Sequence, residues 1–157
     1  MTATDLTETY SSVTITRPIG AAPERVWRAF GEPAEFASWF TAPGDEVAMS
    51  FGEHDLSVGG RIEQTADFHG GPLSRFVARV TDVVPGRRIA YAYDMWLDDR
   101  HMSTSVTVIT LADNGSGTEL TWVEQGAHVD GIDTPEQREA GTVGLIGQLA
   151  HHCAAGA

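Results

Sequence analysis

From Glu46 to Val129 the chain is broken again and again by turn-forming clusters: Gly59-Gly60, His69-Gly70-Gly71-Pro72, Pro85-Gly86, Asp98-Asp99 and Asp113-Asn114-Gly115-Ser116-Gly117. Between them there is little helical periodicity, and the apolar residues alternate with polar ones. Strands this close together, joined by connections this short, pair antiparallel, because a parallel pair needs a long crossover. The punctuation therefore predicts a meander with members near 60–68, 75–84, 88–96, 103–112 and 118–128 and a shorter piece near 46–58.

The flanks read differently. From Tyr10 to Ile19 the chain alternates, with Val13, Ile15, Arg17 and Ile19 on one face, which predicts a first strand. Ala22-Pro23-Glu24 then opens a short helix with Pro in its first turn and an acid beside it, closed by Gly31. Glu32-Pro33 opens a second, placing Phe36, Trp39 and Phe40 at i, i+3 and i+4 before Pro43-Gly44 stops it. Near the end, Thr134 caps, Pro135 takes the first helical position and Gln137 completes a capping box, so a long helix is expected from there to about His152. Its apolar stripe is Leu145, Ile146 and Leu149, extended by Thr142 and Cys153. Gly141, Gly144 and Gly147 lie inside it, each costing the helix about 1 kcal/mol. Either backbone packs very close to them or the missing side chains leave space beside the sheet. Residues 1–9 and 154–157 are expected to be tails around a single domain at 10–153.

Composition excludes several function classes. The 157 residues carry 22 acids against 10 basic residues, a net charge of −12, which opposes binding to nucleic acid or anionic membranes. Every basic residue is Arg and none is Lys, so lysine general bases, Schiff bases and a phosphate-loop lysine are absent. The lone Cys153 rules out an intrachain disulfide and thiolate-rich metal sites. MTATDLTETYSS lacks the basic-then-apolar pattern of a signal peptide, and no apolar run nears the roughly 20 residues of a membrane span, so a soluble, cytoplasmic protein is expected. His54, His69 and His101 fall in or near turns, His128 lies on a strand and the adjacent His151-His152 project from different helix faces, so neither a metal nor a cofactor is implied.

The motifs APERVWRAF, FASWFTAP, VGGRI, VVPGRRIAYAY and GTELTWVEQGAHVDGIDTPEQREAG together resemble the bacterial AHSA branch of the START-like (SRPBCC) superfamily, named after the activator of the heat-shock-protein-90 ATPase. The resemblance spans about residues 12–152 and implies an α+β helix-grip fold, a curved sheet of six to seven antiparallel strands around a long C-terminal helix. It also implies a cavity between sheet and helix for an apolar or amphipathic small molecule. Many relatives have a Gly-Trp pair where this chain has Gly141-Thr142, so a bulky wall residue is missing there. The family name does not by itself carry a co-chaperone function to this chain.

The residues support a cavity independently. Alternation puts Ile89, Tyr91, Tyr93 and Met95 on one strand face and Leu120, Trp122, Glu124 and His128 on another. Large aromatics with a few polar tips suit a pocket wall, in which area supplies affinity and sparse polar groups orient the ligand. The candidate ligand-binding set is Trp39, Phe40, Phe68, Phe76, Tyr91, Tyr93, Met95, Trp122, Glu124, His128, Thr142, Leu145 and Leu149. Pattern alone does not separate these from plain core. Glu124 is also the one candidate for catalysis, because a carboxylate on an apolar face must be paired, exposed or protonated. Arg61 or Arg75 would make it a structural ion pair, whereas His101 or Tyr93 would help it move protons. Three functions remain open: a binding or transfer protein for a small apolar ligand, a polyketide cyclase or dehydratase-like enzyme, and a chaperone-regulating interaction module. A homodimer is compatible with each.

Overall fold

The computed structural model describes residues 6–41, 47–69 and 71–155. Along the chain run β1 (Glu8–Ile19), α1 (Pro23–Gly31), α2 (Pro33–Trp39), β2 (Val47–His54), β3 (Arg61–Phe68), β4 (Leu73–Val84), β5 (Arg88–Leu97), β6 (Arg100–Asp113), β7 (Thr118–Val129) and α3 (Pro135–Ala155). The expected element order is found, with seven strands in one antiparallel sheet ordered β1-β7-β6-β5-β4-β3-β2. The first strand lies beside the last, so the meander is extended at its late edge by the segment made first.

Two boundaries differ from expectation. Glu8 and Thr9, read as tail, pair with Val129 and His128, because β7 is long enough to template the extra residues. Beyond them the Asp130 N–H donates to the Thr7 carbonyl at 2.8 Å. At the other end α3 runs past His152 to Ala155, because nothing in His-His-Cys-Ala-Ala breaks a helix. The Pro43-Gly44 stop, the Glu46 start of the short strand and Gly70 lie outside the described residues, as do 1–5 and 156–157.

Local chemistry explains the joints. The capping box of α3 forms in both directions: the Gln137 N–H donates to Thr134 Oγ1 at 3.1 Å and the Thr134 N–H to Gln137 Oε1 at 3.0 Å. In the VGG turn Gly59 is left-handed at φ 88°, and a Cβ at Gly60 would collide with the Asp55 carbonyl, so both positions require glycine. Asp98, also left-handed, closes the β5–β6 hairpin while its Oδ1 accepts the Leu73 N–H at 2.9 Å.

The core lies between the inner sheet face and the helices. Ile62, Phe76, Ala78, Val80, Ile89, Tyr91, Ile109, Leu120 and Trp122 alternate inward, while α1 and α2 bring Val26, Phe30, Phe36, Trp39 and Phe40 down on them. The helix α3 adds Ile146, Leu149 and Cys153 and packs on β1, α1 and α2. No helix among the described residues is long and apolar enough to cross a membrane.

Candidate functional site

Between the inner face of β3–β7 and the first half of α3 lies a cavity of about 420 Å³. Its sheet side is built by parity. Tyr91, Tyr93 and Met95 of β5, Phe76 of β4, Phe68 of β3 and Trp122 and Glu124 of β7 all reach it, as does Phe40 just after α2. Thr142 and Leu145 line it from α3. At Gly141 and Gly144, also in the lining, an added Cβ would meet nothing within 4 Å, so these glycines leave space rather than admit close backbone. Gly147 differs, since its Cβ would reach Arg17 Nη1 at 3.6 Å.

Three residues of the sequence-derived set lie elsewhere. Trp39 is held between helices, its indole N–H donating to the Ala29 carbonyl at 2.8 Å and its ring edge-on to Phe30 and Phe36. Leu149 is fully buried one turn beyond Leu145, where α3 has already reached solid core. His128 is 1% exposed, with Nε2 on Ser11 Oγ at 3.1 Å and Nδ1 on Asp133 Oδ1 at 3.0 Å, so it positions Asp133 instead of lining the wall.

The polar corner of the cavity centres on Glu124, 6% exposed. Tyr93 donates its hydroxyl to Oε2 and Thr107 donates to Oε1, both at 2.9 Å. The expected arginines do not reach it: β3 and β4 turn Ile62, Gln64, Phe76 and Ala78 inward, so Arg61 and Arg75 point outward. Arg61 pairs with Glu63 at 2.7 Å, and the Arg75 guanidinium lies 5.8 Å from the Trp96 ring centroid. Arg138 of α3 takes the place. Its Nη1 donates to the Tyr93 hydroxyl at 3.0 Å, and its Nη2 donates to Ser103 Oγ and Asp133 Oδ2, both at 2.8 Å. His101 is not part of the corner, since it stacks near Trp96 and contacts Thr104 at the outer hairpin end.

Electrostatics keeps Tyr93 and Arg138 protonated. Burial pushes the Tyr93 pKa well up, the Glu124 charge adds to that, and Arg138 opposes it in part. Burial works to lower the Arg138 pKa, but Tyr93, Asp133 and Glu124 outweigh it, so the guanidinium stays charged. The chain Arg138 to Tyr93 to Glu124 thus has each donor facing an acceptor. Neutral Tyr93 passes the influence of the cation to the carboxylate without a direct contact.

Several lining residues escaped the sequence reading: Gln64 and Ala66 of β3, Met102 of β6, Asp133, and Gln137, Arg138 and Gln148 of α3. Two signals point to some of them. Alternation onward from Ile62 turns Gln64 and Ala66 inward, and Arg138 lies one helical turn before Thr142 on the same face.

With fold and site in place, the chain belongs to the family of activator of Hsp90 ATPase homolog 1-like proteins, matched over residues 20–152. The seven-stranded sheet, paired short helices and long last helix are its helix-grip fold. A protein from Rhizobium loti is 38% identical, covering 93% of this chain and 99% of its own with a TM-score of 0.82. One from Rhizobium leguminosarum is 28% identical with a TM-score of 0.90, covering 97% and 99%. The AHSA1-like protein from Aeromonas hydrophila, 24% identical with a TM-score of 0.67 over 93% and 94%, shares the fold. Among curated proteins none matches this chain.

Proposed function

We propose that this protein binds a small apolar or amphipathic molecule in the cavity between its sheet and α3, and sequesters it or hands it on. The observation that carries this reading is the cavity itself, whose volume of about 420 Å³ falls within the range of ligand sites and whose walls are mostly aromatic and aliphatic. A polar corner around Glu124 is how such a site fixes orientation while area supplies affinity.

The Glu124 corner favours binding over proton transfer. Both carboxylate oxygens already accept a hydroxyl, and burial makes Tyr93 hold its proton. A general base needs its proton-accepting oxygen turned to the substrate and within hydrogen-bond reach of the proton it takes. The cyclase-like reading requires a substrate proton to reach a Glu124 lone pair that Tyr93 and Thr107 leave free.

Native mass spectrometry of the protein purified from its own host tests this reading, with Thr142→Trp as the control that fills the cavity. The expected result is a small-molecule adduct on the wild type that is missing from the variant. An adduct retained equally by both would place the ligand elsewhere. For the enzyme alternative, Glu124→Gln should lower turnover of a cyclisation substrate by about a hundredfold or more.

A further inference from the structure

The hydrogen-bonding groups along the cavity wall are unequally committed. Gln148 directs its amide NH₂ to the carbonyls of Trp39 at 2.6 Å and Thr41 at 3.0 Å, which among the described residues leaves its Oε1 as the unengaged end of the amide. Thr142 donates its hydroxyl back to the Arg138 carbonyl at 3.0 Å. Tyr93 and Thr107 donate to Glu124, while Arg138 donates to Tyr93, Ser103 and Asp133. The donors around Glu124 are thus turned inward on the protein, whereas among the described residues the lining amide NH₂ of Gln137 and the buried indole N–H of Trp122 have no acceptor. The acceptors retain capacity, since each carboxylate oxygen has two lone pairs and those of Glu124 each take one of these bonds.

Charge runs the same way. Arg138 is the one cation among the described lining residues, against the carboxylates of Glu124 and Asp133. It is already held by Asp133 at 2.8 Å and turned toward Tyr93, so it presents no open fork to an incoming anion. The whole chain adds a net −12 and offers no lysine.

We infer that the cavity selects molecules with an apolar body and a polar end that donates hydrogen bonds and carries no negative charge, an ammonium before a hydroxyl, with carboxylates rejected. This rests on the proposal that the cavity is a ligand site. An anionic head would lose its hydration to face Glu124 and Asp133, a repulsion that low dielectric magnifies. An ammonium gains the free lone pairs of Glu124, in a wall that also carries Phe76, Tyr91 and Trp122.

The probes are three molecules of one skeleton: 4-phenylbutylamine, 4-phenylbutanol and 4-phenylbutanoate, titrated calorimetrically into the full chain at about pH 7. The amine should bind tightest and the carboxylate weaker by about tenfold or more, the scale of one charge contact inside a partly dry site. In Glu124→Gln the advantage of the amine over the alcohol should fall to about threefold or less. Equal or tighter binding of the carboxylate to the wild type overturns the inference and leaves the ligand site standing. Binding of none of the three overturns the ligand reading itself. An undiminished amine preference in folded Glu124→Gln overturns the assignment to this corner. Should that variant not fold, the wild-type ranking alone decides, and the amine preference must shrink as salt is raised.

Discussion

Two regions under the same sheet are packed in opposite ways. Beneath α1 and α2, Phe30, Phe36, Trp39 and Phe40 interlock with ring centroids 4.5 to 5.6 Å apart, leaving a void of about 20 Å³. Beneath the first half of α3 the gap is about 420 Å³. The sheet does not make the difference, because Phe76, Tyr91 and Trp122 line both spaces. The helices make it: α2 places three aromatics in eight residues through Phe40, whereas α3 offers Gly141, Thr142 and Gly144 over the corresponding span. A hollow in this fold therefore follows from what the covering helix omits.

The largest effect expected from that contrast is on stability. Trp39→Ala, in the solid half, should cost about 3–5 kcal/mol in denaturant unfolding, because a close-packed site cannot collapse around the loss. Leu145→Ala, on the half-buried cavity wall, should cost less than about 2 kcal/mol, since its neighbours already face open space. Equal losses would erase the contrast. Next comes Thr142→Trp, which should weaken 4-phenylbutylamine binding by about tenfold or more in calorimetry. In thermal melts it should change stability by less than the roughly 1–3 kcal/mol typical of overpacking. A variant that fails to fold would show that the space is not there to be filled.

A smaller effect depends on pH. His54 sits against Phe36 with ring centroids 4.6 Å apart, its Nε2 donating to the Phe30 carbonyl at 2.7 Å and its buried Nδ1 without a partner among the described residues. Burial lowers its pKa from 6.5, outweighing the opposing pull of the Phe30 carbonyl and Asp55. The neutral ring is thus the native form, and below 6.5 the unfolded chain takes up protons that the folded chain resists. This contribution to stability is complete above that pH and is lost as pH falls from there through the lowered native value. Unfolding titrations from about pH 8 to about pH 5 should show the decline, and His54→Phe should flatten it. A decline unchanged in the variant would assign it to other groups. The smallest expected effect is Gly144→Ala, whose methyl meets nothing within 4 Å and which should raise stability by about 0.5–1 kcal/mol. A loss instead would mean that backbone does pack against that face.

How much of this was legible in the sequence follows from which signals are local. Turn clusters, alternation and the Thr134–Gln137 box each act within a few residues, so strand number, helix positions and the inward set of β5 and β7 could be read directly. The space beside α3 was also signalled locally, by glycines too costly to keep without a reason. Pairing across the chain was not. Glu8 and Thr9 become strand only because β7 extends to Val129, more than 100 residues away. Arg138 joins Glu124 only because α3 crosses the sheet at Tyr93. Arg61 and Arg75 looked like partners for Glu124 because their strands neighbour the right region. One residue of register put both side chains on the outer face.

The central claim is that the hollow half holds a ligand and the solid half does not, and the methionine methyls report on it directly. Met95 and Met102 line the cavity, while Met49 on β2 lies outside it. Methyl NMR of the methionine-labelled protein titrated with 4-phenylbutylamine should shift Met95 and Met102 together, saturably, with Met49 nearly unmoved. Saturating shifts confined to Met49, or none at Met95 and Met102, would contradict the account.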